Sequence, residues 1–258
     1  MKQSIDSHVH LDLVCKDHPE RIRWLRDHNC SVVSWAFDPG IATVRDLKVY
    51  LESQREILNH IRRQTGLACY FLTGIHPRNI PPGLHPDDVP ELLTPIVDDP
   101  ICLGIGEIGL EGTTRGEQGI FAAQLELASS LEGRRLRVGV HTPRRNKEVV
   151  TARTLELLKR FSSLKRRVVV DHCSFETLGP VLEAGHAAGV TLSPVKTSLA
   201  ELARMVEVYP DALRCMMCNT DSGSEFYEDL IDAAGSRHLP ESIKRSVLHD
   251  NAAEFFAI

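Results

Sequence analysis

Eight times along the chain a short apolar or β-branched run is followed by a longer amphipathic stretch, and this alternation most limits the folds open to it. The runs are Ile5 to His10, Ser31 to Phe37, Ala68 to Ile75, Ile101 to Ile108, Leu136 to His141, Arg167 to His172, Val190 to Ser193 and Leu213 to Thr220. Helices are predicted over Thr43 to Gln64, Gln118 to Leu131, Lys147 to Phe161, Leu178 to Ala188 and Leu199 to Tyr209, with a closing pair from Phe226 onward. Strands linked through helices run parallel, and eight such units close on themselves. The expectation is an α/β fold, a (β/α)8 TIM barrel, with residues 1–258 forming a single domain. A doubly wound open sheet alternates in the same way, but no Gly-rich phosphate loop follows the first run. Pro81, Pro82, Pro86 and Pro90 shape one long loop rather than a domain linker.

The length of 258 residues, with 42% hydrophobic and 25% charged, suits one unit that buries a large core. A net charge of -5 excludes a nucleic-acid binder held by global charge. No run approaches the ~18 apolar residues of a membrane span, and the opening segment lacks the apolar stretch of a secretory signal. We therefore expect a cytoplasmic protein with no membrane partner and no obligate protein partner, oligomerisation being compatible with it. Seven scattered cysteines fit reduced thiols. Cys215 and Cys218 spell C-x-x-C, but opposite parity in an apolar run sends them to opposite faces, against a shared zinc or redox site.

The period of two in the first run puts His8 and His10 on one side, where both imidazoles reach a common ion. Glu107, His141, His172 and Asp221 each close a later run. In a parallel barrel all strand C-termini emerge on one face, the face where active sites are found. Six metal-ligating side chains therefore converge. Imidazole and carboxylate donors without thiolate suit one or two divalent ions of Zn, Mn, Mg, Fe or Co. Two carboxylates offset much of the charge of a pair of ions held ~3.5 to 4 Å apart.

IDSHVHLD at 5–12, GIHP at 74–77, GEIGL at 106–110, VHT at 140–142, DHC at 171–173, NTDS at 219–222 and NAAEFF at 251–256 occur in the order and spacing of a known family. The chain resembles the TatD-like branch of the amidohydrolase superfamily along its whole length. The resemblance implies a metal-dependent hydrolase, with nuclease activity the family's best-known one. It implies that His8, His10, Glu107 and Asp221 hold one ion, and that Glu107, bridging, holds a second with His141 and His172. Asp221 would also be the general base, and His76 would stand beside the leaving or phosphoryl group. The chain departs from the family pattern at Asn219, usually acidic, and at Gly223, usually proline. Glu111 and Gly112 stand where Asp and an aromatic residue are usual, and Cys173 to Glu176 replace Cys-Phe-Ser-Gly. These departures are expected to edit the substrate pocket.

Arg134, Arg135, Arg137, Lys165, Arg166 and Arg167 lead into strands and belong to the face opposite the site. Arg78, Arg144, Arg145, Lys147 and Lys196 follow strand ends and place cations around the metals, as phosphate recognition requires. Arg78, Arg144 and Lys196 are the candidate substrate-binding residues. Phe175, Phe226 and Tyr227 are the best-placed aromatics for stacking a base. The expected substrate is a phosphodiester, that is an oligonucleotide cleaved in the manner of a DNase or 3′-5′ exonuclease. The alternatives are a small-molecule amide, ester or lactone, or a non-catalytic barrel that keeps its ligands.

Overall fold

A computed structural model of the protein describes residues 3–134 and 136–258, so Arg135 lies outside the described residues. Strands β1 (Ser4–Val9), β2 (Cys30–Trp35), β3 (Cys69–Thr73), β4 (Cys102–Gly109), β5 (Arg137–His141), β6 (Val168–Val170), β7 (Ala187–Thr191) and β8 (Met216–Asn219) form one sheet in sequence order. Every pairing is parallel. A parallel bridge from Val9 to Ser222 closes the sheet, and Asp221 N–H donates to the His8 carbonyl at 3.0 Å. The fold is a (β/α)8 barrel.

The strands are apolar because both their faces are covered. Ile5, Val33, Trp35, Leu72, Val169 and Met217 fill the barrel. A second, larger core lies between strands and helices. The surrounding helices are α1 (Leu11–Asp17), α2 (Pro19–Asp27), α3 (Val44–Thr65), α4 (Val89–Val97), α5 (Arg115–Ser130), α6 (Lys147–Leu158), α7 (Phe175–Glu183) and α8 (Leu199–Val208). The chain ends in α9 (Asp229–Gly235), α10 (Glu241–Arg245), a π turn and α11 (Asn251–Phe256), whose Phe256 packs with the barrel interior. Arg137, the first residue of β5, stacks on Phe255 at 5.2 Å, which sets α11 at the end opposite the strand C-termini.

Three readings need correction. The stretch read as one helix over Leu178 to Ala188 divides at Glu183, and β7 starts at Ala187 rather than Val190. Its Ala-Ala-Gly start lacks the β-branched signature of a strand, and parallel pairing with β8 decides the matter. Helix α4 lay hidden among prolines: Pro90 sits in its first turn, where a missing N–H costs nothing. Helices α1 and α2 follow the first strand with no glycine or proline break before Leu11.

Candidate metal centre

Two irregular pairings set the first of the expected ligands. The β1–β2 register passes from Asp6↔Val32 to Val9↔Ser34, and β4–β5 from Ile105↔Val138 to Ile108↔Val140. An extra residue in one strand re-aims a side chain. His8 and Glu107 lie within these two stretches. Beneath them the Trp35 indole stacks on the His8 ring at 4.1 Å and 11°. Gly139 makes that floor possible, since a Cβ there would come within 2.5 Å of the indole.

His172 and Asp221 lie just beyond β6 and β8 and share a left-handed backbone, with φ of 57° and 56°. Side chains that are not glycine rarely adopt it, and it persists where neighbours enforce it. Those neighbours are visible. The Lys147 ammonium donates to the His172 carbonyl at 2.7 Å and to the Thr142 hydroxyl at 3.1 Å. The Asp6 carboxylate accepts from Thr220 N–H at 3.0 Å and from its hydroxyl at 2.6 Å, fixing the residue before Asp221. Lys147 is therefore a structural tie more than a free cation, and burial lowers its pKa to about 8.

The structure brings all six sequence-expected ligands together, with Glu107 at the centre. Glu107 Oε2 lies 3.4 Å from His8 Nε2 and 3.8 Å from His10 Nε2. Its Oε1 lies 2.6 Å from His141 Nδ1 and 3.4 Å from His172 Nε2. Asp221 Oδ1 lies 3.3 Å from His10 Nε2 and 3.6 Å from His8 Nε2. Donor atoms of His8, His10 and Asp221 fall within 4.8 Å of one another, as do those of His8, Glu107 and His172. The donor set fits a divalent ion on its own chemistry. His8 Nε2 is buried with no hydrogen-bond partner, which leaves it open to a cation; His76 Nε2 is equally unpartnered. No cysteine enters any such group among the described residues, and all seven are free thiols.

The outward nitrogens of the rings explain which inward nitrogens can ligate. His8 Nδ1 lies 2.5 Å from Asp171 Oδ2, and His10 Nδ1 lies 2.9 Å from the Trp35 carbonyl. His172 Nδ1 lies 2.8 Å from the Thr191 hydroxyl, and His141 Nε2 lies 3.1 Å from Glu111 Oε2. A carboxylate or carbonyl on one ring nitrogen fixes its proton there, which for His8 and His10 leaves the inward lone pair for metal. His76 differs. Its Nδ1 accepts the Arg78 N–H at 3.0 Å, so the neutral ring carries its proton on Nε2, 3.6 Å from Glu107 Oε1. Burial keeps that ring neutral, lowering its pKa to about 4. His76 thus presents a donor, not a lone pair, although its Nε2 lies within 4.8 Å of donor atoms of Glu107 and His141.

Electrostatics agree with a cation cage. Burial opposes the charge of Glu107, but the His76 imidazolium that forms in acid, with His8 and with the His141 hydrogen bond, overcomes it and holds the carboxyl well below its ordinary range. Asp221 is likewise held ionised, with His172, His10 and Lys196 outweighing burial. The Lys196 ammonium lies 2.6 Å from Asp221 Oδ2 and 3.1 Å from His172 Nδ1.

Above the cluster opens a cavity of about 750 Å³, lined by Arg78, Arg144, Arg145, Lys196, Phe37 and Tyr227 among others. Arg78 stacks on Phe37 at 5.0 Å and faces Glu111 at 3.7 Å. Arg144 and Arg145 are exposed at the rim. Of the three expected aromatics, Tyr227 lines the cavity. Phe226 instead packs edge-on against Trp24, and Phe175 packs on Tyr209. Phe37 was missed, because it follows its strand without any motif of its own. Asn219 is also misplaced by the sequence reading: it is buried beneath the cluster rather than in the pocket wall.

A comparison with protein families matches residues 5–225 to the TatD-related DNase family. The chain belongs to that family. A similar TatD-like protein from Archaeoglobus fulgidus, of solved structure, is 27% identical and superposes with a TM-score of 0.75 over 98% of this chain and 100% of its own. An uncharacterized metal-dependent hydrolase of Methanocaldococcus jannaschii is 25% identical, the match covering 80% of this chain and 79% of that protein. A TatD homologue of Escherichia coli K12 shares the fold, with a TM-score of 0.65 at 18% identity over 98% of this chain and 97% of its own. TatD membership and the His, Glu and Asp cluster together make the chain a metal-dependent hydrolase.

Proposed function

We propose that this TatD-family hydrolase cleaves phosphodiester bonds, with an oligonucleotide end as the substrate. His8, His10, Glu107 and Asp221 would hold one divalent ion, and Glu107, His141 and His172 a second. The observation behind the phosphodiester reading is the cationic wall over an anionic, imidazole-rich centre: Arg78, Arg144, Arg145 and Lys196 line one cavity with Glu107 and Asp221. Guanidinium groups match phosphate geometry, and an amide or lactone would not need them. An imidazole-rich set favours Zn, Mn, Fe or Co over Mg.

Divalent cations supply Lewis acidity toward substrate oxygens and lower the pKa of water. The chain's own residues do the rest. Asp221, ionised and beside Lys196, accepts the proton of the attacking water. The His76 Nε2–H donates to a phosphoryl or leaving oxygen as its charge grows, the preorganised donation that lowers barriers most. Arg78 and the rim arginines hold the flanking phosphate, and Tyr227 offers a face to a terminal base.

The test is a substrate panel on protein reconstituted with Zn or Mn. Metal-dependent loss of the label from a 3′-labelled single-stranded oligonucleotide, abolished by chelator, is the expected result. Turnover of amides or lactones with no phosphodiester cleavage would replace this reading with a small-molecule amidohydrolase.

A further inference from the structure

Asp171 belongs to no expected ligand set, yet its carboxylate is fully buried at the floor of the centre, with contacts on three sides. Its Oδ2 lies 2.5 Å from His8 Nδ1 and 3.5 Å from His172 Nδ1. Its Oδ1 accepts the Asn219 side-chain N–H at 2.8 Å. Gly189 of β7 lies between β6 and β8, and a Cβ there would overlap the Asp171 carboxyl group. Space, a hydrogen-bond donor and a target imidazole thus come from three separate strands.

We infer that Asn219, Gly189 and Asp171 form a positioning relay that orients His8 and raises its basicity toward the first metal ion. The inference rests on the metal-site reading above. The physics is direct. A carboxylate accepting the Nδ1–H pins the tautomer, puts partial negative charge on the ring and leaves Nε2 as the ligand. A free carboxylate would also rotate to meet His172. Asn219 stops that rotation by holding the second oxygen through a neutral donor. An acidic side chain at 219 would set two carboxylates against each other in a buried site and loosen the hold on His8. Glycine at 189 is required because alanine would push the Asp171 carboxylate off its axis.

Three variants and one spectrum test the relay. Zn(II) is titrated against a chromophoric chelator into the parent and into Asp171→Asn, Asn219→Asp and Gly189→Ala. The apo forms are compared by far-UV circular dichroism and thermal melting. The expected result is a fall of about 10- to 100-fold in the affinity of one Zn(II) site, the size typical of lost outer-sphere partners, in variants whose apo forms remain folded by circular dichroism. The other site keeps its affinity. In parent protein labelled with 15N-histidine and loaded with Zn(II), a protected proton far downfield should couple to His8 Nδ1 and vanish in Asp171→Asn. Parent-like Zn(II) affinity in folded variants overturns the relay. So does the absence of that proton in the parent, which needs no variant to fold. Failure of the parent itself to bind Zn(II) would instead overturn the metal-site reading.

Discussion

His76 and His8 are both buried histidines beside Glu107, and only the hydrogen bonds on their outer nitrogens separate their roles. His8 faces a carboxylate on Nδ1 and points an unpartnered Nε2 inward; His76 faces a backbone N–H and keeps an inward proton. His76→Ala should therefore retain its full metal content by elemental analysis while kcat falls roughly 10²- to 10³-fold, the loss seen when one oxyanion donor is removed. Loss of a metal equivalent instead would make His76 a ligand. The cluster of six side chains was legible because histidine and glutamate at the end of an apolar run are poor turn formers and need a reason to be there. Asp171 and Glu111 were not legible as partners. An acid after Val170 or Leu110 reads as an ordinary strand-end residue, and only the closed sheet sets Asn219, two strands away, against Asp171.

At the scale of elements, the loop between β5 and α6 turns on Asn146, whose φ is 49°, and that corner lifts Arg144 and Arg145 to the cavity rim. Replacing both arginines by alanine should raise KM roughly 30-fold, consistent with about 1 kcal/mol per lost charged contact, and leave kcat and metal content near parental values. Their removal should also flatten the dependence of KM on salt, because fewer phosphates are neutralised. An unchanged KM with oligonucleotide would show that these guanidiniums face solvent alone. The start of β7 offers a pH test. His186 is buried before that strand, its Nδ1 3.0 Å from the Lys165 carbonyl, and burial holds its pKa below the ordinary value. The unfolded chain binds this proton more readily, so stability is full above the unfolded pKa of ~6.5 and is lost as pH falls below it. His186→Gln should flatten that acid limb in denaturant titrations below about pH 6.5. An identical slope in the variant would remove His186 from the account. The number and order of the strands were readable from periodicity, whereas the start of β7 and the whole of α4 were not, because alanine and proline carry weak local signals that parallel pairing and helix-first-turn geometry overrule.

For the whole molecule, the main prediction concerns chelation. Ions that bind only the folded state should stabilise it by about 2.7 kcal/mol at a free concentration 100 times Kd. In a domain this large that is roughly 5 to 10 °C of melting temperature, so dialysis against EDTA should lower Tm by that amount and Zn(II) should restore it. A melting temperature indifferent to both treatments would argue that no ion binds the native fold. Among the described residues no helix is long and apolar enough to cross a membrane.

The bridge from Val9 to Ser222 joins the first strand to the last, and the His8, His10 and Asp221 donors straddle that same join. An ion captured there would act as a clasp between the two ends of the sheet. Occupancy would then report whether the circle has been completed, and a chain interrupted before its eighth strand could offer the ion only half a seat.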